Sequence, residues 1–350
     1  MWHRFLAGLI ACALIAAIPG SAPAIPRRTK VQTYKKGLAF PVDMAWVPGT
    51  KKIFFTEKNT GKIRVLVRRR LLKRACVNLD VNASGERGAL GIALHPKFKQ
   101  NNLLYVYYTN SSPLDNRVTR FRVRRNRCRN PDHVVTGLRT SSGYHNGGQI
   151  EFVKGKLFVA VGESHEPSEA QDQSSRLGKI LRYNPDGSVP SGNPFGANNP
   201  VWSFGHRNPF GLGHKPGTHR IWSSENGPQC DDELNHIVKG RNYGWGSGYQ
   251  CGSNGVGLNP KGPAVRYSNV IVPTDLWWYR GRMKALSGSL YMGDFNDGRL
   301  HRFVMNRSAT DVRKDRIIYN GDAPIIDVTK GPGGWLYFST DSAIRRIVPR

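Results

Sequence analysis

The sequence predicts an all-β fold, a six-bladed β-propeller, because one strand pattern recurs six times and no long amphipathic helix interrupts it. In each repeat a turn-rich stretch leads into an alternating strand with an acidic or polar exit: GTKKIFFTEK, QNNLLYVYYTN, KGKLFVAVGES, GTHRIWSSEN, SGSLYMGDF and GGWLYFSTDS. The central aromatic residues of the repeats are Phe54, Tyr105, Phe158, Trp222, Tyr291 and Tyr337. Their spacing suits one four-stranded blade for each repeat.

Neighbouring segments supply partner strands for these repeats. They are KIRVLV (62–67), VTRFRV (118–123), KILRY (179–183), RLHRFV (299–304) and AIRRIV (343–348). The 39 Gly and 22 Pro of the chain suit an all-β protein with many turns better than an α/β fold. A pair of β-sandwiches is the structural alternative. Propeller closure requires the first strand, near residues 37–45, to complete the last blade, and residues 244–286 are predicted to be mostly loop.

The N-terminus has the pattern of a signal peptide over residues 1–24. His3 and Arg4 precede an apolar run over residues 5–18, and small residues follow up to Ala24. The run is too short to span a bilayer comfortably. We therefore expect cleavage after Ala24, a propeller domain over residues 25–350, and a secreted or periplasmic location, with a lipoprotein or retained anchor as the alternative.

Cysteine usage agrees with export. Removal of residues 1–24 discards Cys12 and leaves an even number of cysteines, which an oxidising compartment would pair. The short separation of Cys230 and Cys251 favours that disulfide, and Cys76 would then pair with Cys128. Thiolate metal binding is not expected, because no Cys-x-x-Cys pair with matching histidines is present.

The chain is strongly basic, with 52 Lys+Arg against 24 Asp+Glu and a formal net charge of +28. This charge would attract anionic polymers. Much of it lies in runs such as residues 68–70, 73–74 and 122–129, which lack the interleaved aromatic residues of a single-stranded nucleic-acid site. Two interpretations stay open, a solvated basic surface and a specific site for a polyanion such as a glycan. An exported protein is not expected to bind nucleic acid as its partner.

Polar residues that could carry chemistry cluster in three segments. His145 in SGYHNGGQIEF could act as a base near neutrality, or be structural. Arg207 and Asn208 in VWSFGHRNPFGL could donate to a carbonyl or quinone oxygen, or brace a loop. The acidic cluster in ENGPQCDDEL offers oxygen ligands of the kind that calcium prefers, although without the EF-hand spacing, so acids neutralised by arginines remain the alternative.

These segments resemble, in order, the glucose/sorbosone dehydrogenase family of quinoproteins. The matching stretches are LAFPVDMAWVPGTKKIFFTEKNTGKIRVL, GERGALGIALHPKFKQNNLLYVYYT, HNGGQIEF, AQDQSSRLGKILRYNPDGSVPSGNPF, GHRNPFGL and ENGPQCDDELNHIVKGRNYGWG. They run almost continuously over residues 37–246. The resemblance implies a six-bladed propeller, in agreement with the repeat count, and the oxidation of a sugar or polyol by pyrroloquinoline quinone with calcium.

The resemblance also assigns roles to residues. His145 would take the proton of the sugar hydroxyl while a hydride passes to the quinone. Arg207 and Asn208 would contact the quinone oxygens, and Gln171 would also bind the cofactor. The electron acceptor is not identified by the resemblance.

Two calcium sites are implied in the same way. Main-chain carbonyls of the Gly227-Pro228 turn would hold the calcium that polarises the quinone. Asp232, Glu233 and Tyr243 would form a second, structural calcium site of the kind that some family members have.

The resemblance weakens toward the C-terminus. Pro324 and Ile326 stand where the family has arginines that clamp the carboxylates of the cofactor, and Asn296 and Asp297 lie near the expected lysine. Loss of such charge-assisted contacts would cost roughly 1.5 to 3 kcal/mol each. Three basic residues in the long loop, which precedes these positions in the chain, could replace them: Arg280, Arg282 and Lys284.

The sequence thus favours a calcium-assisted sugar dehydrogenase and leaves one chief rival. The rival is a binding module that keeps the propeller and its calcium but binds an anionic glycan or cell-surface polymer without redox activity. The altered C-terminal residues favour the rival, whereas His145, Arg207 and Asn208 favour the enzyme. A calcium-dependent lactonase of another six-bladed group would need axial carboxylates and no quinone, and the continuous family resemblance counts against it.

Overall fold

Alternating strands form six antiparallel sheets in the computed structural model, which describes residues 25–350. The predicted signal peptide, residues 1–24, lies outside the described residues. Within residues 25–350, no helix has the length and apolar composition needed to cross a membrane.

Short strands account for most of the regular structure. They are β1 (Thr29–Lys36), β2 (Pro41–Trp46), β3 (Lys52–Glu57), β4 (Lys62–Val67), β5 (Arg70–Leu71), β6 (Val77–Asn78), β7 (Ala89–Leu94), β8 (Leu103–Asn110), β9 (Asp115–Arg124), β10 (Arg127–Leu138), β11 (Ile150–Val153), β12 (Lys156–Val161), β13 (Lys179–Tyr183), β14 (Val201–Phe204), β15 (Pro209–His214), β16 (Ile221–Glu225), β17 (Asp232–Ile237), β18 (Val265–Tyr267), β19 (Pro273–Tyr279), β20 (Ser289–Asp294), β21 (Arg299–Met305), β22 (Val312–Asn320), β23 (Val328–Lys330), β24 (Leu336–Ser339) and β25 (Ala343–Pro349). The helical segments of the described chain are α1 (Phe98–Asn101), α2 (Pro167–Gln171) and a 3₁₀ turn at Pro332–Gly334.

The six sheets are the blades of a propeller. Blade 1 contains β2 to β6, blade 2 contains β7 to β10, and the next three blades contain four consecutive strands each; β23, β24, β25 and β1 form blade 6. The first strand of every blade contacts the first strand of the next, and β23 of blade 6 contacts β2 of blade 1. The first strands therefore surround one axis, and the predicted six-bladed all-β fold is confirmed.

The six repeated segments form the second strands of the blades, as predicted. Their central aromatic side chains are all at most 1% exposed. These side chains pack with apolar residues between the sheets, as Trp222 does with Leu276 and Leu290 of the next blade. Removal of this apolar surface from water is the main force that holds neighbouring blades together.

Ring closure occurs as predicted, but the strand that closes the ring was placed wrongly. Residues 29–36 (β1) pair with β25, whereas residues 41–46 (β2) form the innermost strand of blade 1. The segment TKVQTYKK gives a weak strand signal, because an outermost strand buries few of its side chains. Residues 244–286 are mostly loop, as predicted, although they contain β18 and β19.

Both predicted disulfides are present. Cys76 bonds to Cys128, which joins the outer edge of blade 1 to β10 of blade 2. Cys230 bonds to Cys251, which ties the turn before β17 to the long loop that follows this strand. The second bond therefore anchors a loop that reaches over one end of the propeller.

We predict that each disulfide stabilises the fold according to the length of chain that it closes. The Cys230→Ser, Cys251→Ser double variant should lose about 3 kcal/mol of unfolding free energy and the Cys76→Ser, Cys128→Ser variant about 4 kcal/mol, since the entropy of loop closure grows with separations of 21 and 52 residues. Denaturant titration of the purified proteins measures both losses. Unchanged midpoints in both variants would contradict this prediction.

Candidate functional site

One end of the propeller axis opens into a cavity of about 540 Å³. Its walls come from the loops that enter the innermost strands and from the turns that follow the second strands. The polar residues of the lining are Lys58, Glu86, His145, Arg207, Asn208, Asn226, Asp232 and Thr274. Gly227 and Pro228 also line this cavity. The structure therefore brings together six of the sequence-predicted site residues, which come from three separate segments of the chain.

The His145 side chain is fixed in one orientation. Its backbone, at φ 54°, donates from N–H to Glu86 Oε2 at 2.7 Å. Its ring Nδ1 is hydrogen-bonded to Glu163 Oε1, and Glu163 is 1% exposed. Because a carboxylate only accepts hydrogen bonds, this contact assigns the proton of the neutral imidazole to Nδ1. The lone pair is then on Nε2, the nitrogen required of a base.

A glycine permits the close approach of the three loops at this point. A Cβ at Gly162 would lie 2.1 Å from the carbonyl oxygen of His145 and 3.0 Å from Asn208 Oδ1. The same Asn208 oxygen accepts the N–H of Gly147 at 3.0 Å. Any other residue at position 162 would force the loops of His145 and Asn208 apart.

A second histidine contacts the free nitrogen of the first. His165 Nε2 lies 3.1 Å from His145 Nε2, and the two rings are nearly perpendicular. The His165 ring is also stacked on Tyr144 at 5.6 Å, and its Nδ1 lies 3.3 Å from Ser142 Oγ. Burial and the neighbouring His145 lower the pKa of His165. Because the lone pair of His145 is on Nε2, the contact assigns the donor N–H to His165 Nε2.

The His206, Arg207 and Asn208 segment is held by one buried carboxylate. Glu225 accepts from His206 Nδ1 at 2.9 Å and from the backbone N–H of Arg207. The Arg207 guanidinium donates to the carbonyl oxygen of Asn226 at 2.9 Å and lies over the ring of Trp245. Burial lowers the pKa of Arg207, and nearby carboxylates oppose this effect. An arginine stays protonated under these conditions and presents a desolvated positive charge to the cavity.

Glu86 connects the two halves of the site. Its Oε2 accepts the N–H of His145 and also faces Asn208 Nδ2 at 3.3 Å. One carboxylate oxygen therefore fixes the spacing between a loop of blade 3 and a loop of blade 4.

The Gly227-Pro228 turn presents main-chain oxygens. No hydrogen bond within residues 25–350 ends on the carbonyl oxygen of either residue. Asp232 holds the turn from the other side, because its carboxylate accepts the N–H groups of Gly227, Ile271 and Val272 at 2.7 to 2.8 Å. Burial raises the pKa of Asp232. The turn thus offers unused carbonyl oxygens of the kind that bind calcium.

Glu233 and Tyr243 line a smaller cavity on the other side of this turn, and Asp232 does not. Burial and the nearby Glu225 raise the pKa of Glu233 to about 8. The hydroxyl of Tyr243 donates to the carbonyl oxygen of His236 at 2.6 Å and accepts the N–H of Val238. The structure therefore separates the three residues predicted to form a second calcium site into two environments.

Gln171 does not line the main cavity. Its amide exchanges hydrogen bonds with Asn242 and donates to the carbonyl oxygen of Trp245 at 2.6 Å. This arrangement supports the loop that carries Trp245 beneath Arg207. The contact of Gln171 with the site is thus indirect.

The C-terminal side of the cavity is apolar. Ile326 lies in the wall with Val270, Val272 and Phe295, in agreement with the change noted in the sequence. None of the basic residues considered as substitutes lines this cavity: Arg280, Arg282 and Lys284. Arg282 instead lies over Trp335, and the carbonyl oxygen of Arg280 accepts from Lys330, which lines the cavity at the opposite end of the axis. Besides Arg207, the lining of the main cavity contains the basic residue Lys58.

Sequence reasoning missed Glu86, Glu163 and His165 as parts of the site. Glu163 had a usable signal, because it occupies the acidic exit of a repeat, as Glu225 does in the next one. Glu86 lies in a segment that matches the family but has no distinguishing pattern. His165 follows Glu163 by two residues and gives no periodic signal.

Comparisons with known proteins found similar sequences and structures. A family model described as Glucose / Sorbosone dehydrogenase matches residues 38–348. The chain is 28% identical over 356 residues to the aldose sugar dehydrogenase YliI of Escherichia coli, covering 93% of this chain and 95% of that protein. It is 32% identical over 239 residues to quinoprotein glucose dehydrogenase B of Acinetobacter calcoaceticus, covering 59% of this chain and 50% of that protein. The PQQ-bound form of an aldose sugar dehydrogenase from Streptomyces coelicolor matches with a TM-score of 0.79 at 29% identity, covering 93% of this chain and 99% of that one.

Proposed function

The chain belongs to the glucose/sorbosone dehydrogenase family, and we propose that it is an exported dehydrogenase that oxidises a sugar or polyol with pyrroloquinoline quinone and calcium. The observation that carries this proposal is the convergence of three kinds of group on one cavity. They are a histidine whose Nε2 carries the lone pair of the ring, the donors of Arg207 and Asn208, and the unused carbonyl oxygens of the Gly227-Pro228 turn.

The residues of the cavity fit the quinone end of such a cofactor. Arg207 and Asn208 offer N–H donors where oxygen atoms would acquire negative charge. The carbonyl oxygens of Gly227 and Pro228 would hold calcium beside them. At the other end of the cavity, Ile326 stands where the family resemblance leads us to expect a basic residue. Lys58 would therefore be the side chain that meets a carboxylate of the cofactor. Burial lowers the pKa of Lys58, and the nearby Glu86 opposes this shift. The Lys58 ammonium donates to the carbonyl oxygen of Gly85 at 2.7 Å.

The chain itself supplies the proton chemistry. When bound, the quinone would supply the acceptor for the hydride of the sugar carbon, and thus for both electrons. His145 Nε2 takes the hydroxyl proton at the same time, and the Glu163 carboxylate stabilises the imidazolium that results. Arg207 provides a fixed positive charge and Asn208 a fixed amide dipole, and both would stabilise the negative charge that develops.

His165 must release His145 for this reaction. Its N–H now occupies the Nε2 lone pair, so the substrate hydroxyl has to replace it. His165 is exposed and contacts Tyr144, which is also exposed, so it can turn toward solvent without breaking the core. We infer that His165 guards the base until a hydroxyl group binds.

Export is supported by covalent structure. Two disulfides lie on the surface loops and edges of the propeller, and such bonds persist in oxidising compartments. This supports the predicted signal peptide at residues 1–24.

We predict that His145→Gln abolishes sugar oxidation by protein loaded with quinone and calcium, with a loss of about 100-fold or more in kcat. Glutamine keeps a hydrogen-bonding group but cannot take the proton. The matched control is His219→Gln, which changes an exposed histidine away from the cavity and should keep wild-type turnover. Cofactor reduction on addition of aldoses is the measurement.

Two outcomes would reject parts of this proposal. Full turnover by the loaded His145 variant would show that another group is the base. No reduction by loaded wild-type protein with any sugar or polyol would reject the dehydrogenase itself.

We predict that calcium raises the melting temperature and is needed for uptake of the quinone. A ligand that binds only the folded protein adds about 2.7 kcal/mol when its concentration is a hundred times Kd. Melting curves and quinone absorbance after gel filtration should be compared in calcium and in chelator. Identical curves and equal uptake would argue against calcium at the Gly227-Pro228 turn.

A second candidate function is the binding of an anionic polymer. Five basic residues line a cavity of about 340 Å³ at the outer edge of blades 1 and 2: Lys62, Arg64, Lys73, Arg74 and Arg127. Arg64 is paired with Glu57 at 3.2 Å, whereas Lys73 and Arg74 are exposed. This cluster favours an acidic glycan, held outside the enzyme cavity.

The basic cluster predicts a local effect on glycan binding. The Lys73→Gln, Arg74→Gln variant should bind a sulfated oligosaccharide about tenfold more weakly than wild type, since each exposed ion pair contributes roughly 0.2 to 1 kcal/mol. Arg313→Gln, Lys314→Gln on blade 5 changes the net charge equally and is the control. Equal weakening of both variants in calorimetric titrations would indicate attraction by net charge alone.

A further inference from the structure

Three aspartates converge on the propeller axis away from the candidate active site. Asp43 lies in β2, Asp275 lies in β19, and Asp327 immediately precedes β23. They belong to blades 1, 5 and 6, which are neighbours in the ring. One carboxylate oxygen from each lies within 4.8 Å of the others. All three residues are at most 5% exposed.

These carboxylates lack the partners that buried charges require. Asp43 Oδ2 accepts the N–H of Ile92 at 2.6 Å. Both carboxylate oxygens of Asp327 and Oδ1 of Asp275 are buried without a hydrogen-bond partner. None of the ion pairs found within residues 25–350 includes any of the three. Three negative charges at this distance cannot share a buried site unless protons or a cation neutralise them.

The cluster is reached through an open cavity. A funnel of about 570 Å³ at the opposite end of the axis is lined by all three aspartates. Asp43 and Asp275 also line a small void that shares Val42, Leu90 and Phe210 with the candidate active site. The aspartates therefore stand between the two ends of the axis, with water available from the funnel.

We propose that Asp43, Asp275 and Asp327 bind a divalent cation of the calcium type on the propeller axis. Carboxylate oxygens are hard ligands, and calcium binds them at 2.3 to 2.6 Å. Oxygens within 4.8 Å of one another fit around an ion of that radius, since two ligands on opposite sides of calcium are about 4.8 Å apart. Water from the funnel completes the coordination, because calcium takes six to eight oxygen ligands.

A cation and protons are the two ways to neutralise this cluster. No donor from another residue satisfies either carboxylate oxygen of Asp327 by geometry, which leaves both oxygens available as ligands. Without a cation, burial and the neighbouring aspartates raise the pKa values of Asp43 and Asp327 well above their usual range. Ser339 adds a further ligand candidate: its N–H donates to the carbonyl oxygen of Asp327, and its buried hydroxyl also lacks a partner.

This cation would have a structural consequence that is separate from the sugar chemistry. It would join blades 5, 6 and 1, and blade 6 is the blade that contains both chain ends. It is also separate from calcium at the Gly227-Pro228 turn, because neither residue lines the funnel.

The experiment counts bound metal. Calcium titrations of chelator-treated protein should give one fewer ion for each chain in Asp275→Asn, Asp327→Asn than in wild type. Asp115→Asn is the matched control, since Asp115 is also buried but is paired with Arg117 at 2.5 Å and lies in β9. The control should keep the wild-type count. These readouts do not depend on sugar oxidation, so failure of the proposed enzyme activity leaves the result interpretable.

A measurement on wild-type protein guards against a variant that does not fold. Crystals soaked in Mn²⁺ should show an anomalous peak between the three carboxylates. An equal calcium count in the axial variant, together with no axial peak in wild-type crystals, would show that the aspartates share protons and would overturn the proposal.

Discussion

The arrangement of both ends of the axis depends on the pairing of β1 with β25. This pairing runs from Thr29 opposite Pro349 to Lys36 opposite Ala343 and joins the two ends of the chain in blade 6. Gln32 Oε1 accepts two hydrogen bonds from the guanidinium of Arg346, at 2.7 and 3.0 Å. Because the innermost strands meet around one axis, an open ring would let the loops of blades 1 to 6 separate. We therefore expect the cavity to depend on this non-local pairing.

A second constraint is the acidic residue at or just after the end of the second strand of several blades. Glu57, Glu225 and Asp294 end this strand in blades 1, 4 and 5, Glu163 follows it by two residues in blade 3, and all four are buried. Each has a cationic or N–H partner in its own blade or at the adjoining loop. In blades 1 and 5 the pair joins neighbouring strands, whereas in blades 3 and 4 it orients a group that faces the cavity. The repeat thus supplies one buried carboxylate for each of these blades, and the loop sequence decides its use.

The difference between the repeated strands and the variable loops explains what the sequence could predict. The second strands were predictable because their buried aromatic residues alternate in every repeat, and the disulfides because the cysteines form an even set. The convergence of His145, Arg207 and Asn208 was expected from the family resemblance, which assigned all three residues to one site. β1 was not predicted as the closing strand, because an outermost strand needs little apolar alternation. His165 and the three axial aspartates were missed because their roles depend on contacts between distant segments, which no local sequence pattern indicates.

The charge balance of the main cavity limits what can bind there. Arg207 and Lys58 are positive, whereas Glu86 and Asp232 also line the cavity, and Val270, Val272, Phe295 and Ile326 form an uncharged wall. A ligand with several carboxylates would meet as many negative as positive side chains, so the chain alone gives it little net attraction. A calcium ion on the Gly227-Pro228 carbonyls would add two positive charges beside Arg207 without adding a counter-ion, because main-chain oxygens carry none. We therefore expect an anionic cofactor to depend on that ion for its affinity, and the apolar wall to contribute through burial of ring surface.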